Sequence, residues 1–140
     1  MNRIHTALLG VGLLLAGSAA QAQDTRVKGN IPFNFVVGNQ VLPAGEYELT
    51  TTSFGSPAIV IRSDDGKSTS LAITRSCSSY QPSDKTKLVF HVMAGQYFLS
   101  QIWMQGNHSG RELRKSQVEV RLAQNDSASS EIMLEARLIR

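Results

Sequence analysis

Apolar residues recur in this chain at every second position in short runs, and almost every run ends at a glycine, a proline or an aspartate-glycine pair. Ile31, Phe33, Phe35 and Val37 share one parity, while Asn30, Pro32, Asn34 and Val36 share the other. A pleated strand sends successive side chains to opposite faces, so this pattern predicts a half-buried strand. Pro32 lacks an amide hydrogen, which places the segment at a sheet edge or in an unpaired register. Gly38-Asn39 and Leu42-Pro43-Ala44-Gly45 supply turns, the proline fixing its own φ and the glycine tolerating a positive one. Glu46 to Thr51 follows as a strand with Tyr47 and Leu49 on one side.

The same grammar continues downstream. Ala58 to Arg62 is a β-branched run ending at Asp64-Asp65-Gly66-Lys67, a strong hairpin signal. That turn accounts fully for the two aspartates, which need no calcium or acid/base role. Ser68 to Cys77 is the returning strand, with Leu71, Ile73, Arg75 and Cys77 on one parity. Leu88 to Met93 and Gln96 to Met104, joined by Ala94-Gly95, are the richest in β-branched and aromatic residues and read as the central hairpin. Ser116-Gln117-Val118-Glu119 matches a capping box and favours a short helix over 116–125. Val118, Val120 and Leu122 also alternate as a strand would. Ile132, Leu134, Ala136 and Leu138 return to period two, against the helix propensity of Met133 to Ala136. The expectation is an all-β fold: a small antiparallel β-sandwich or barrel of about seven strands with one short helix.

Residues 1–22 read as a secretory signal. Arg3 gives the positive start, Ala7 to Ala19 the apolar core, and Ala20-Gln21-Ala22 the small-x-small cleavage pattern before Gln23. Thirteen apolar residues span only about 20 Å as a helix, short of the ~30 Å hydrocarbon core, so no permanent membrane anchor is expected. The expected product is one secreted or periplasmic domain over 23–140. It carries 13 Lys/Arg against 11 Asp/Glu, since Arg3 is the only charge removed. Basic residues are scattered, with a single cluster at Arg111, Arg114 and Lys115, which argues against a nucleic-acid partner. Cys77 is the only cysteine. The exported fold must therefore be held by packing rather than by an internal disulfide.

Val27-x-x-Asn30-Ile31-Pro32-Phe33-Asn34-Phe35-Val36-Val37-Gly38, Leu42-Pro43-Ala44-Gly45-Glu46-Tyr47, Gln96-Tyr97-Phe98-Leu99-Ser100-Gln101-Ile102-Trp103 and Gly110-Arg111-Glu112-Leu113-x-Lys115-Ser116 stand together in both halves of the domain. In this combination the chain resembles a family of short secreted proteins of unknown function found in soil bacteria of the acidobacterial type. The resemblance implies export and a β-rich domain, and it implies no activity. The chain departs from that family at Val92-Met93-Ala94-Gly95, where the family has a polar Tyr-Gly turn.

Candidate chemistry is sparse. The 23–140 segment has two histidines, His91 and His108, and lacks the His-x-x-x-His and Cys-x-x-Cys spacings of metal sites, so no metal or other cofactor is expected. His91 sits mid-strand beside Val89 and Met93 and reads as a satisfied strand histidine. No Gly-x-Ser-x-Gly elbow singles out a serine nucleophile. The densest constellation is Trp103, Asn107, His108, Arg111 and Glu112, a flat aromatic face with donors, acceptors and a titratable ring on a glycine-rich loop. Three functions fit. The first is a non-enzymatic exported domain that binds an envelope or extracellular protein or a small ligand through a strand edge or that loop. The second is a carrier closing a barrel around an apolar ligand. The third is a small hydrolase with His108 and Glu112 as its acid/base pair. A core filled by Phe33, Phe35, Phe90 and Leu99 would tell against the carrier.

Overall fold

The computed structural model describes residues 25–51, 56–125 and 128–139. The signal segment and its cleavage residues lie outside these. Eleven strands and one helix follow one another: β1 (Arg26–Ile31), β2 (Phe35–Val37), β3 (Gln40–Leu42), β4 (Gly45–Thr51), β5 (Ala58–Ser63), β6 (Thr69–Ser78), β7 (Lys87–Met93), β8 (Gln96–Trp103), β9 (Ser109–Leu113), α1 (Gln117–Gln124), β10 (Ser129–Glu135) and β11 (Arg137–Ile139). The all-β expectation holds, with eleven strands rather than about seven.

Half of the difference comes from strands that break; the other half is β3 and β9, the latter falling in the segment expected to be a glycine-rich loop, where Ser109 to Leu113 instead pair with both β6 and β8. The run over 30–37 splits because Pro32 cannot donate to a ladder. Asn34 holds the corner, its side-chain oxygen accepting from the Ala44 amide at 3.0 Å. The apolar parity survives the break: Ile31, Phe35 and Val37 all enter the main core, and Phe33 packs against it. The last strand divides at Ala136: its amide still donates to the Thr86 carbonyl at 2.8 Å in register with β7, and from Arg137 the chain pairs with β1 instead. The three-residue β3 pairs only with β2.

The strand order is β10-β7-β8-β9-β6-β5-β4-β1-β11, and only Ala136 separates the two outermost strands in sequence. One continuous segment therefore bridges both ends of the path. β6 makes the other corner: its first half pairs with β5 and its second with β9. Strands that pass from one sheet into the next in this way build the corners of a packed two-sheet structure. All pairings are antiparallel except one parallel bridge, Val36 to Phe98, between β2 and β8.

The core lies between the sheets. Phe35, Tyr47, Phe90, Ile31, Leu42, Ile59, Ile61 and Leu88 are fully buried, and Phe35 sets its ring edge-on to both Tyr47 (5.0 Å between centroids) and Phe90 (5.8 Å). The Tyr47 hydroxyl donates to the Pro43 carbonyl at 2.6 Å, so its burial leaves no unpaired polar group. A smaller cluster of Val36, Met93 and Phe98 lies outside this core, and α1 covers it with Val118 and Leu122. The helix begins as its capping box implies, with the Glu119 amide donating to the Ser116 hydroxyl at 3.0 Å.

Candidate functional site

The loop singled out by sequence does not gather its five residues into one pocket. Trp103 is buried at the end of β8, opposite Gly110 of β9. Its indole N–H donates to the Gln101 side chain at 2.9 Å. A Cβ on Gly110 would stand 2.8 Å from the Trp103 ring and 2.9 Å from the Ile102 carbonyl. Gly110→Ala is therefore expected to lower stability by about 1–3 kcal/mol through overpacking against backbone, read as a lower urea midpoint at unchanged slope. Trp103 lines a surface depression of about 420 Å³ with Pro82, Val89, Gln101 and Met133.

Asn107 and His108 are exposed, and their carbonyls serve the fold. They accept from the amides of Ser83 and Ser79 at 2.9 and 2.8 Å and so staple this loop to the preceding one. Glu112 faces away from both, its two oxygens each 3.2 Å from the Arg75 guanidinium in a bidentate pair. Arg111 is half-buried on β9, opposite Ile102. No hydrogen bond or ion pair joins His108 to Glu112 among the described residues.

What sequence reading missed is a polar line under α1. The Glu119 carboxylate, 4% exposed, does not turn back on the helix start but accepts from His91 Nδ1 at 2.8 Å. With Nδ1 donating, Nε2 of a neutral ring is left to accept the Ser100 hydroxyl at 3.2 Å. Glu131 stands 3.7 Å from the same Nε2. A bulge makes this contact. Val89 faces Gln101 and Phe90 faces Leu99, so Ser100 has no opposite residue and its side chain is re-aimed toward His91. The order serine, histidine, carboxylate is that of an activated nucleophile. Ser100, however, is 6% exposed and lines none of the surface depressions described, while His91 and Glu119 line one of about 430 Å³. The line fastens the helix to the sheet rather than presenting a reactive hydroxyl.

A third feature stands on the outer face of β5 and β6. Leu71 and Ile73 are 64% and 52% exposed. They lie directly across from Val60 and Ala58, while the small residues Ser70, Ala72 and Thr74 of β6 face inward. Four apolar side chains thus form a strip on the solvent side. Next to Ile73 is a cleft of about 380 Å³ lined by Thr74, Arg75, Glu112, Leu113, Arg114 and Lys115. Register explains the neighbours: Thr74 pairs with Leu113, and the Arg114 amide donates to the Ile73 carbonyl at 3.3 Å. Arg75 and Glu112 neutralise each other, leaving Arg114 and Lys115 as the surplus charge. Arg75 sharing a parity with Leu71 and Ile73 was the sequence signal that this face is wet. Cys77, two residues on, is half-buried. Burial first, and then the Glu112 charge, push its thiol above the ordinary range and keep it protonated at neutral pH.

Comparison with protein-family models, with curated proteins and with solved structures gave no match. The functional reading therefore rests on surface chemistry alone. Among the described residues, no helix is long and apolar enough to cross a membrane.

Proposed function

We propose that this is a non-enzymatic exported binding domain that takes an amphipathic anion on the outer face of β5 and β6. One observation carries the reading: the exposed Leu71 and Ile73, flanked by the half-buried Val60 and Ala58, run directly into a cleft holding three cations and one carboxylate. Exposed apolar side chains on a sheet face gain about 1.5–3 kcal/mol each when fully covered. A ligand with an acidic head beside Arg114 and Lys115 and an alkyl tail over Ile73 and Leu71 satisfies both halves at once. The face replaces the Trp103 to Glu112 loop, whose Trp103 and Glu112 are engaged with Gly110, Gln101 and Arg75.

The carrier reading has less support, because Phe35, Phe90 and Leu99 fill the interior and Phe33 packs against them. The hydrolase reading lacks a joined His108 and Glu112. Titration calorimetry with decyl phosphate, below its micelle concentration, tests the proposal. Binding is expected for decyl phosphate and absent for inorganic phosphate or decanol alone. Ile73→Ser and Arg114→Ala should each weaken it several-fold. No heat with decyl phosphate, or binding indifferent to both substitutions, rejects the reading.

A further inference from the structure

From the same face, and resting on the reading above, we infer that the natural occupant is the anionic surface of a lipid bilayer, held reversibly by β6 and the β9 to α1 connection. The dimensions favour an extended surface over a small solute. From Thr69 to Arg75 the outer face of β6 runs six residue steps, about 20 Å at ~3.3 Å per step. The deeper cleft is at the Ile73 end, and a shallower hollow of about 250 Å³ lies beside Val60 at the other. Between them Leu71 lines neither and stands on the open sheet with no walls to enclose a tail. Side chains stand roughly perpendicular to a sheet, so Leu71 and Ile73 project side by side toward whatever plane lies above them.

The charge is graded along this face. At one end Arg75, Arg114 and Lys115 outnumber Glu112. At the other, Arg26 and Arg62 share a shallow hollow with Glu48, and at the hairpin tip beyond, Lys28 pairs with Asp64 at 2.8 Å and Lys67 stands beside Asp65, so the tip is close to neutral. The first end, with the larger positive surplus, approaches the anionic headgroups, and the apolar pair settles at their level. Cations near an anionic bilayer each strengthen partition about fivefold, and the attraction fades beyond a Debye length. An acidic amphipathic peptide would meet the same groups, but an open, unwalled strip gives it no groove in which to fix a register.

The test is co-sedimentation with vesicles of phosphatidylglycerol mixed with phosphatidylcholine, and of phosphatidylcholine alone. The form beginning at Gln23 is used, because the Ala7 to Ala19 run would partition into vesicles by itself. Every described element and every core residue lies within that form. Binding to the mixed vesicles is expected, with release at about 1 M salt, where the Debye length falls to about 3 Å. Leu71→Ser with Ile73→Ser, and separately Arg114→Ala with Lys115→Ala, should each cut partition by about tenfold or more. Val41→Ser, which removes an equally exposed apolar residue on β3 (66%), should leave it unchanged. Equal binding to both vesicle types, or equal loss in the Val41 variant, overturns the inference. Failure to sediment while decyl phosphate still binds overturns the bilayer and keeps the amphipathic anion; failure of both removes both. Capture of an acidic amphipathic peptide with vesicles ignored assigns the face to a protein partner instead.

Discussion

Phe90→Ala is expected to remove about 3–5 kcal/mol of folding stability. Phe90 is fully buried, and its ring meets Phe33 and Phe35 edge-on at 5.1 and 5.8 Å between centroids. Phe35 in turn holds Tyr47 of β4, so one ring of β7 is linked through the core to the other sheet. The cost depends on how far the site can collapse after truncation. Here Phe90 sits on a strand paired on both sides, opposite Leu99 of β8 and Ile132 of β10. Ladders on either flank keep the backbone from closing the hole. Urea unfolding should show a large drop in midpoint at constant slope. Ile73→Ala, on the exposed strip, should cost less than about 0.5 kcal/mol in the same assay. A Phe90→Ala loss below about 1 kcal/mol would contradict the core described here.

Much of this core was legible because the pattern that builds it is local. Alternation named Ile31, Phe33, Phe35 and Val37 as one apolar set, and the Asp-Gly and Ala-Gly pairs placed the two longest hairpins. Strand counting failed where a strand's fate depends on distant partners. β3 is three residues long and exists only because β2 lies beside it, and the last strand divides at Ala136 because the chain passes there from pairing with β7 to pairing with β1. The β5 and β6 face was half legible. Period two sorted Leu71 from Ala72 correctly, but periodicity cannot say which parity is inside. Glu119 misled for a subtler reason. A capping box explains its presence locally, so nothing in the sequence demanded a second partner, and only the docking of α1 brings its carboxylate to His91.

That pairing gives the other large effect. His91→Leu is expected to cost about 2–3 kcal/mol, because it leaves the Glu119 side chain at the helix–sheet contact without its donor. Glu119→Leu should cost less, about 1–2 kcal/mol. The histidine it leaves behind is partly exposed and keeps Ser100 and Glu131 within reach. The backbone half of the cap also survives, since Ser116 accepts from the amide of residue 119 and not from its side chain. The double substitution should then be milder than His91→Leu alone, because apolar groups of similar size at both positions remove the unpaired carboxylate and extend the Val36, Met93 and Phe98 cluster. A double-mutant cycle in urea, with amide exchange read across α1, measures this coupling. Additive losses would mean that α1 is held by Val118 and Leu122 alone. Sub-additive losses, with exchange accelerating through α1 in His91→Leu before the sheet opens, would show that the His91 and Glu119 pair fastens the helix.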